Sequence, residues 1–469
     1  MDYISTRGKD GPLGFEDALL SGLARDGGLY LPVSWPQFSA DDIRAMKRLS
    51  YAALAGRVMA PFCDGEIDEA ELTGMAEDAY AGFDDPAIAP IIKLTDRIHI
   101  LELFHGPTIA FKDYAMQFLA RAFDRALSKK NRHAVILGAT SGDTGSAALE
   151  AFQGRDAVDV FILFPDGRVS PVQQRQMTSV IADGVRAVSV AGDFDDCQAL
   201  VKTLFNDHEF RDRVKLSAVN SINWARLMPQ VVYYFSSALA LGAPDRKVAF
   251  SVPTGNFGNV FAGYVAMKMG LPIERLIIAS NQNDILPRFF AGGKMERESV
   301  VPSLSPSMDI QVSSNFERLL FELLDRDGAR TAALMNGFAE TGCFEADAAV
   351  MARAASCFTA YRLDDAGTVA EIAATAKQDG IVIDPHSAVG LSAARRAHAD
   401  GTVPPDVPII SLACAHPAKF ETAVETATGT PPQLPPHMAD LMSRPERKLH
   451  SKANPEAVKA LIMSMKRGS

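Results

Sequence analysis

The sequence predicts an α/β fold of doubly wound parallel sheets covered by helices, reached through a mostly helical N-terminal extension. Two observations carry that prediction. From Ile98 onward, short apolar strand-like runs alternate with stretches of helical periodicity, the rhythm of parallel strands joined by crossover helices. The first ninety residues or so lack this rhythm and read as helices and loops. A chain of 469 residues is long enough for about three domain-sized units or two large ones.

In order, "GFEDALLSGLARDGGLYLP" gives an amphipathic helix from Phe15 to Leu23, closed by Gly27 and Gly28. Helical patterns follow around residues 40–58 and 69–82. "HILELF" is a strand, and "HGPTIAFKDYAMQ" opens a helix behind Gly106 and Pro107, with Thr108 placed to cap it. Strand, glycine-rich turn and helix succeed one another in "HAVILGATSGDTGSAALEAFQG". "VDVFILFPDG" and "VRAVSVAGDFDDCQALVKTLF" continue the pattern. "INWARLMPQVVYYFSSALALG" is one long, largely buried helix. "KVAFSVPTGNFGNVFAGYVAMKMG", "GIVIDPHSAVGLSAARRA" and "VPIISLACAHPAKFETAVETATG" repeat the unit. After Gly429, "TPPQLPPHM" leads to a terminal helix, "NPEAVKALIMSMK", expected to dock on the surface.

Composition narrows the function classes. With 47% hydrophobic and 22% charged residues the chain has material for sizeable cores. A net charge of −10 without a basic stripe argues against nucleic acid as partner. No apolar run reaches membrane-spanning length, so no membrane partner is expected. "MDYISTRGKDG" has no signal-peptide pattern. Five scattered cysteines without CxxC spacing point to neither a disulfide framework nor a metal site, and a cytoplasmic location is expected.

Ligands of such folds gather at the carboxyl ends of the strands. Lys112 is placed in the first turn of its helix, where the dipole disfavours a cation, between apolar neighbours. Both effects lower the cost of losing a proton, as an amine nucleophile requires; a snorkelling surface lysine is the plainer reading. "PTGNFGN" follows a strand and starts a helix, so its successive amides suit an anion, although a tight turn explains the glycines as well. "GATSGDTGS" offers the hydroxyls of Thr140, Ser141 and Thr144 to a carboxylate, or is simply a turn capped by Asp143 or Thr144. Cys414, ending a strand, reads by itself as a small buried hydrophobe.

Taken in order, "YISTRG", "GLARDGGLYLP", "FHGPTIAFKD", "GATSGDTGSAA", "NSINWARLMPQVVYYF", "VPTGNFGNVFAGY", "SPSMDIQVSSNFERL", "DPHSAVG" and "AHPAKF" resemble the threonine synthases, especially their longer bacterial and fungal branch. These are pyridoxal-phosphate enzymes of fold type II. The resemblance implies two doubly wound domains with pyridoxal 5'-phosphate between them. Residues 1–95 would form the extension, 96–430 the cofactor-binding core with a smaller subdomain at about 113–220, and 431–469 the tail.

It further implies that Lys112 forms the Schiff base with the cofactor. Gly255, Asn256, Phe257, Gly258 and Asn259 would hold the cofactor phosphate. Asp143 stands where many fold type II enzymes place an asparagine near the ring hydroxyl, which leaves its protonation open. Cys414, where relatives commonly carry threonine, would face the ring nitrogen. Thr140, Ser141 and Thr144 would receive the substrate carboxylate. Arg226 and Lys419, with Arg318 and the serines of "SPSMD", are candidates for the leaving phosphate, and His105 and Asp113 for supporting roles. The implied substrate is O-phospho-L-homoserine, converted with water to L-threonine and phosphate by a monomer or homodimer. A dehydratase or phospho-lyase on the same scaffold, or more remotely a cofactor-free anion-binding module, are the competing readings.

Overall fold

The computed structural model describes residues 1–467 and sorts most strands into two sheets. The larger runs Phe358–Arg362, Ile273–Ser280, Val248–Pro253, Ile409–Ala413, Ile98–Glu102 and Ile91–Lys93 across its width. All its pairings are parallel except the last, where Ile91–Lys93 runs antiparallel at the edge. The smaller sheet is parallel throughout: Leu449–Lys452, Val185–Ala191, Val158–Pro165, Ala134–Ala139 and Leu216–Ser217. Every residue of Val158–Pro165 and Val248–Pro253 is buried, as strands covered on both faces must be. This is the α/β architecture of two doubly wound sheets that the sequence predicts.

Helix Trp224–Ala240 packs against helices Lys112–Lys129 and Gly258–Lys268. Burying side chains such as Leu227, Val231 and Phe235 stabilises that junction by roughly 1.5–3 kcal/mol each. The loops that lead into Lys112 and Gly258 thus end on helices anchored to a common support.

Differences from the sequence reading are local. The first helix is Phe15–Ser21 and stops at Gly22, whose φ of 68° only glycine adopts easily, rather than running to Leu23 and the Gly27–Gly28 pair. The extension also holds an antiparallel pair, Tyr3–Ser5 with Tyr30–Pro32. The tail does more than dock a helix, because Leu449–Lys452 extends the small sheet. That strand is half polar and lies at an edge, so no hydrophobic run announces it. Among the described residues no helix is long and apolar enough to cross a membrane.

Candidate active site

The loop before Lys112 is sewn to the end of strand Ile409–Ala413: Phe111 N donates to the Cys414 carbonyl at 2.8 Å, and His416 N to the Ile109 carbonyl at 3.0 Å. The helix begins at Lys112 itself, with Phe111 as N-cap. Thr108 does not cap it. Its amide and hydroxyl instead donate to Asp113 at 2.8 and 2.6 Å, closing the loop on the helix. Gly106 is required here, since a Cβ would meet Asp113 Cβ at 2.5 Å. Asp113 is fully buried, and burial raises its carboxyl to about 6 against the pull of the Thr108 bonds. It is a clamp beside the site. His105 is held between Asp84 and Glu102, at 2.7 and 2.8 Å.

Lys112 Nζ donates to Asp143 Oδ2 at 3.0 Å, its side chain 12% exposed and 5.0 Å from the Phe111 ring centre. Asp143 is the first residue of helix Asp143–Phe152, whose N-cap is Gly142 at φ 148°, not Asp143 or Thr144. The second oxygen, Oδ1, accepts from Gln173 Nε2 at 2.8 Å and lies 3.0 Å from Lys419 Nζ. Burial works against ionisation of Asp143, but Lys112, Lys419 and Gln173 overcome it and hold the carboxyl well below its usual range. Asp143 is ionised at neutral pH.

Lys419 is fully buried. Its Nζ meets Thr108 O at 2.8 Å, Gln176 Oε1 at 2.9 Å and Asp143, three acceptors for three protons. No donor is left for a substrate phosphate, so the expectation that Lys419 binds it is corrected: this lysine supports Asp143. Gln173 and Gln176 were not foreseen. No sequence signal marks them, because their burial, unusual for polar residues, appears only in the fold.

In the 138–146 loop, Thr140 Oγ1 accepts from the amides of Gly142 and Gly145 at 3.0 and 2.9 Å. It shapes the turn and keeps only its own proton to offer. The hydroxyls of Ser141 and Thr144, and the amides of Ser141, Asp143 and Thr144, donate to no other described residue. They form an open set of donors at a helix N-terminus, suited to a carboxylate.

The turn after Val248–Pro253 has the same character. Phe257, at φ 64°, caps helix Gly258–Lys268, and none of the amides from Gly255 to Asn259 donates to another described residue. Asn259 Oδ1 accepts from Tyr233 and Tyr234 hydroxyls at 2.7 and 2.9 Å, which fixes its amide orientation. Its Nδ2 is buried with no partner. An orphan donor of that kind costs about 1–3 kcal/mol unless a ligand accepts from it. A Cβ on Gly255 would lie 2.6 Å from the Ser307 carbonyl, so only glycine lets the turn pass the 306–308 segment. Asn256 is exposed, its side-chain oxygen accepting from Ser314 at 3.3 Å. Free amides, a helix start and a buried orphan Nδ2 fit a phosphate group.

Cys414 is buried, and burial followed by the charge of Asp384 raises its thiol, keeping it neutral. Its amide donates to Ser387 Oγ at 3.0 Å, and Ser387 in turn donates to the fully buried Asp384.

Of the remaining phosphate candidates, Arg318 donates to the Tyr30 and Ile222 carbonyls and to Asn315, and Ser305 accepts from Asn281, while the Ser307 hydroxyl bonds to no described residue. The bonds of Arg318 and Ser305 are structural. Arg226 differs. It is buried with no acidic partner, Nη1 donates to Val219 O at 2.8 Å, and Nε has no partner. Burial pulls its guanidinium down to about 10.

Comparison with known proteins gives the family. Residues 2–80 match the model described as threonine synthase N terminus, 89–346 that of pyridoxal-phosphate dependent enzymes, and 387–462 that of threonine synthase, C-terminal. A threonine synthase of Pseudomonas aeruginosa is 50% identical over 448 residues, 95% of each chain. A crystal structure of PLP-bound threonine synthase from Brucella melitensis superposes with a TM-score of 0.97 at 53% identity, covering 100% of both chains. The yeast threonine synthase structure gives 0.94 at 38% identity, over 99% of this chain and 98% of the other. The chain belongs to the threonine synthase family of pyridoxal-phosphate-dependent enzymes.

Proposed function

We propose that the chain converts O-phospho-L-homoserine and water to L-threonine and inorganic phosphate. The observation that carries this reading is the pair of anion sites around one half-buried amine: the 255–259 turn for the cofactor phosphate and the Ser141–Thr144 donors for the substrate carboxylate, with Lys112 paired to Asp143. Bound pyridoxal phosphate supplies an aldehyde that joins to amines and a ring that takes up electrons from the substrate's Cα. Asn259 Nδ2 and the free amides would hold its phosphate, Asp143 would serve its ring hydroxyl, and the neutral Cys414 thiol would serve the ring nitrogen without charging it.

The chain's residues then orient and move protons. Ser141 and Thr144 with their amides fix the substrate carboxylate, which sets the Cα–H bond for removal. Lys112 Nζ, next to the ionised Asp143, takes the Cα proton and returns one when product forms. Arg226, the buried guanidinium without a counter-charge, receives the phosphate that leaves Cγ. Water adds at Cβ in place of the phosphate lost from Cγ, so atoms balance with no oxidant.

Five free cysteines, three of them buried, accord with a cytoplasmic enzyme. The test is incubation of cofactor-loaded protein with O-phospho-L-homoserine, with phosphate, threonine and 2-oxobutyrate measured. Equal threonine and phosphate support the reading, and 2-oxobutyrate in place of threonine overturns it in favour of a dehydratase or lyase. Arg226→Gln is expected to raise KM for the phosphorylated substrate at least about tenfold, the loss of one charged phosphate contact.

A further inference from the structure

A cavity of about 450 Å³ lies between helices Asp143–Phe152 and Pro171–Thr178 and the C-terminal segment. None of the cofactor or substrate residues named above lines it. Its size is that of a small-ligand pocket. Two opposite charges on its wall have unused bonding capacity. Glu150 is half-buried; its Oε1 accepts from Gln153 at 2.6 Å while Oε2 has no partner among the described residues. Arg444 spends Nε and Nη2 on Asp440 and the His437 carbonyl, and Nη1 has no partner among the described residues.

Glu150 and Arg444 form no ion pair with each other, although the arginine's charge draws the carboxyl down against the larger effects of burial and of Asp113, which leave it at about 7. Two opposite charges that line one cavity without pairing suit a ligand that brings a cation and an anion of its own.

We propose that this cavity binds a free α-amino acid, its ammonium donating to Glu150 Oε2 and its carboxylate accepting from Arg444 Nη1. The side chain rests toward Val180 and Leu441, which also line the space. Two further wall residues belong to the support of Asp143. Thr108 supplies the carbonyl and Gln176 the side-chain oxygen that hold Lys419, at 2.8 and 2.9 Å, and Lys419 supports Asp143. The inference is independent of which reaction the site performs.

Calorimetric titration of the cofactor-loaded protein with L-valine, isobutylamine and 3-methylbutanoate tests it, the two analogues lacking the carboxylate and the ammonium respectively. Valine is expected to bind saturably without altering the cofactor's absorption spectrum. Each analogue, and valine on Glu150→Gln or Arg444→Gln, is expected to bind at least about tenfold more weakly, one charged contact being lost each time. Arg444 is half-buried and its side chain bonds only within its own segment, to Asp440 and His437, so its variant separates lost binding from lost folding. Absence of saturable valine binding, equal binding by the analogues, or equal binding by both variants overturns the proposal and leaves a polar cleft that holds only water.

Discussion

Lys112 Nζ lies 3.0 Å from Asp143 Oδ2, and the same carboxylate meets a second, fully buried ammonium, Lys419, through its other oxygen. One negative charge therefore sits between two positive ones, and Gln173 adds a neutral donor to Oδ1 at 2.8 Å. Lys419, from "AHPAKF", pairs with Asp143 independently of Lys112, so the carboxylate keeps one ammonium partner if the charge on Lys112 changes.

Removing the carboxylate leaves the half-buried Lys112 and the fully buried Lys419 without a counter-charge. Asp143→Ala is expected to destabilise the protein by about 3–5 kcal/mol, the loss typical of breaking a buried pair from one side. Denaturant titration of the cofactor-free protein measures it. The double variant Asp143→Ala/Lys419→Met, which also removes the stranded charge, should recover a large part of that loss. No recovery would mean that Lys419 and Asp143 do not act as a pair.

At the phosphate turn the critical atom is Asn259 Nδ2, buried and unpartnered while both tyrosine hydroxyls fix the other end of the amide. Asn259→Asp keeps the shape and replaces a donor with an acceptor that repels phosphate. Cofactor affinity, followed by fluorescence quenching on titrating pyridoxal phosphate into apoprotein, should fall at least about 100-fold, a charged hydrogen bond lost and a repulsion gained. Gly255→Ala should weaken binding as well, because its Cβ is driven against the Ser307 carbonyl.

Much of this site was legible from chain order alone. The loops of Lys112, Asp143 and Asn259 each follow a short apolar strand and open a helix, and such loops face one another at the carboxyl ends of parallel strands. What was not legible is which cations are spent. Lys419, Arg318 and Arg226 look alike in sequence, yet the first two saturate their donors on carbonyls and side chains contributed by segments far away in the chain, such as Thr108 to Lys419 and Tyr30 to Arg318. Only Arg226 keeps unused capacity. Pairings of that kind depend on tertiary contacts that no local pattern encodes. The tail strand Leu449–Lys452 was hidden for the same reason, its partner being Val185–Ala191.

Stability should carry the signature of Asp113. Its folded value of about 6 lies above the ordinary 3.8, so the native state prefers it protonated. The sign is then opposite to that of a paired carboxylate: no penalty exists below about pH 4, and one grows as pH rises through 6, reaching about 3 kcal/mol at 1.36 kcal/mol per unit. Asp143, held well below its usual range, acts the other way and contributes stability that disappears only in stronger acid. Asp113→Asn cannot titrate, so the difference in unfolding free energy between variant and parent should shift in the variant's favour by up to that amount between pH 4 and 7. A difference independent of pH over that interval contradicts the assignment.

The cysteines offer a chemical check on the ring-nitrogen position. Cys414 is buried and its thiol is raised by burial and by Asp384, while Cys343 and Cys357 are partly exposed. Since the thiolate is the reactive form, iodoacetamide at pH 8 should modify Cys343 and Cys357 before Cys414, Cys63 or Cys197, as peptide mass spectrometry would report. A neutral thiol also predicts that a neutral hydroxyl can stand in for it. Cys414→Thr should keep kcat within about threefold, because a group that never ionises supplies packing and a weak hydrogen bond rather than charge. Cys414→Asp should not: a carboxylate there favours a protonated ring nitrogen, which strengthens electron withdrawal at the wrong stage and diverts substrate to 2-oxobutyrate. Unchanged product ratios in the aspartate variant would show that Cys414 does not face the ring nitrogen.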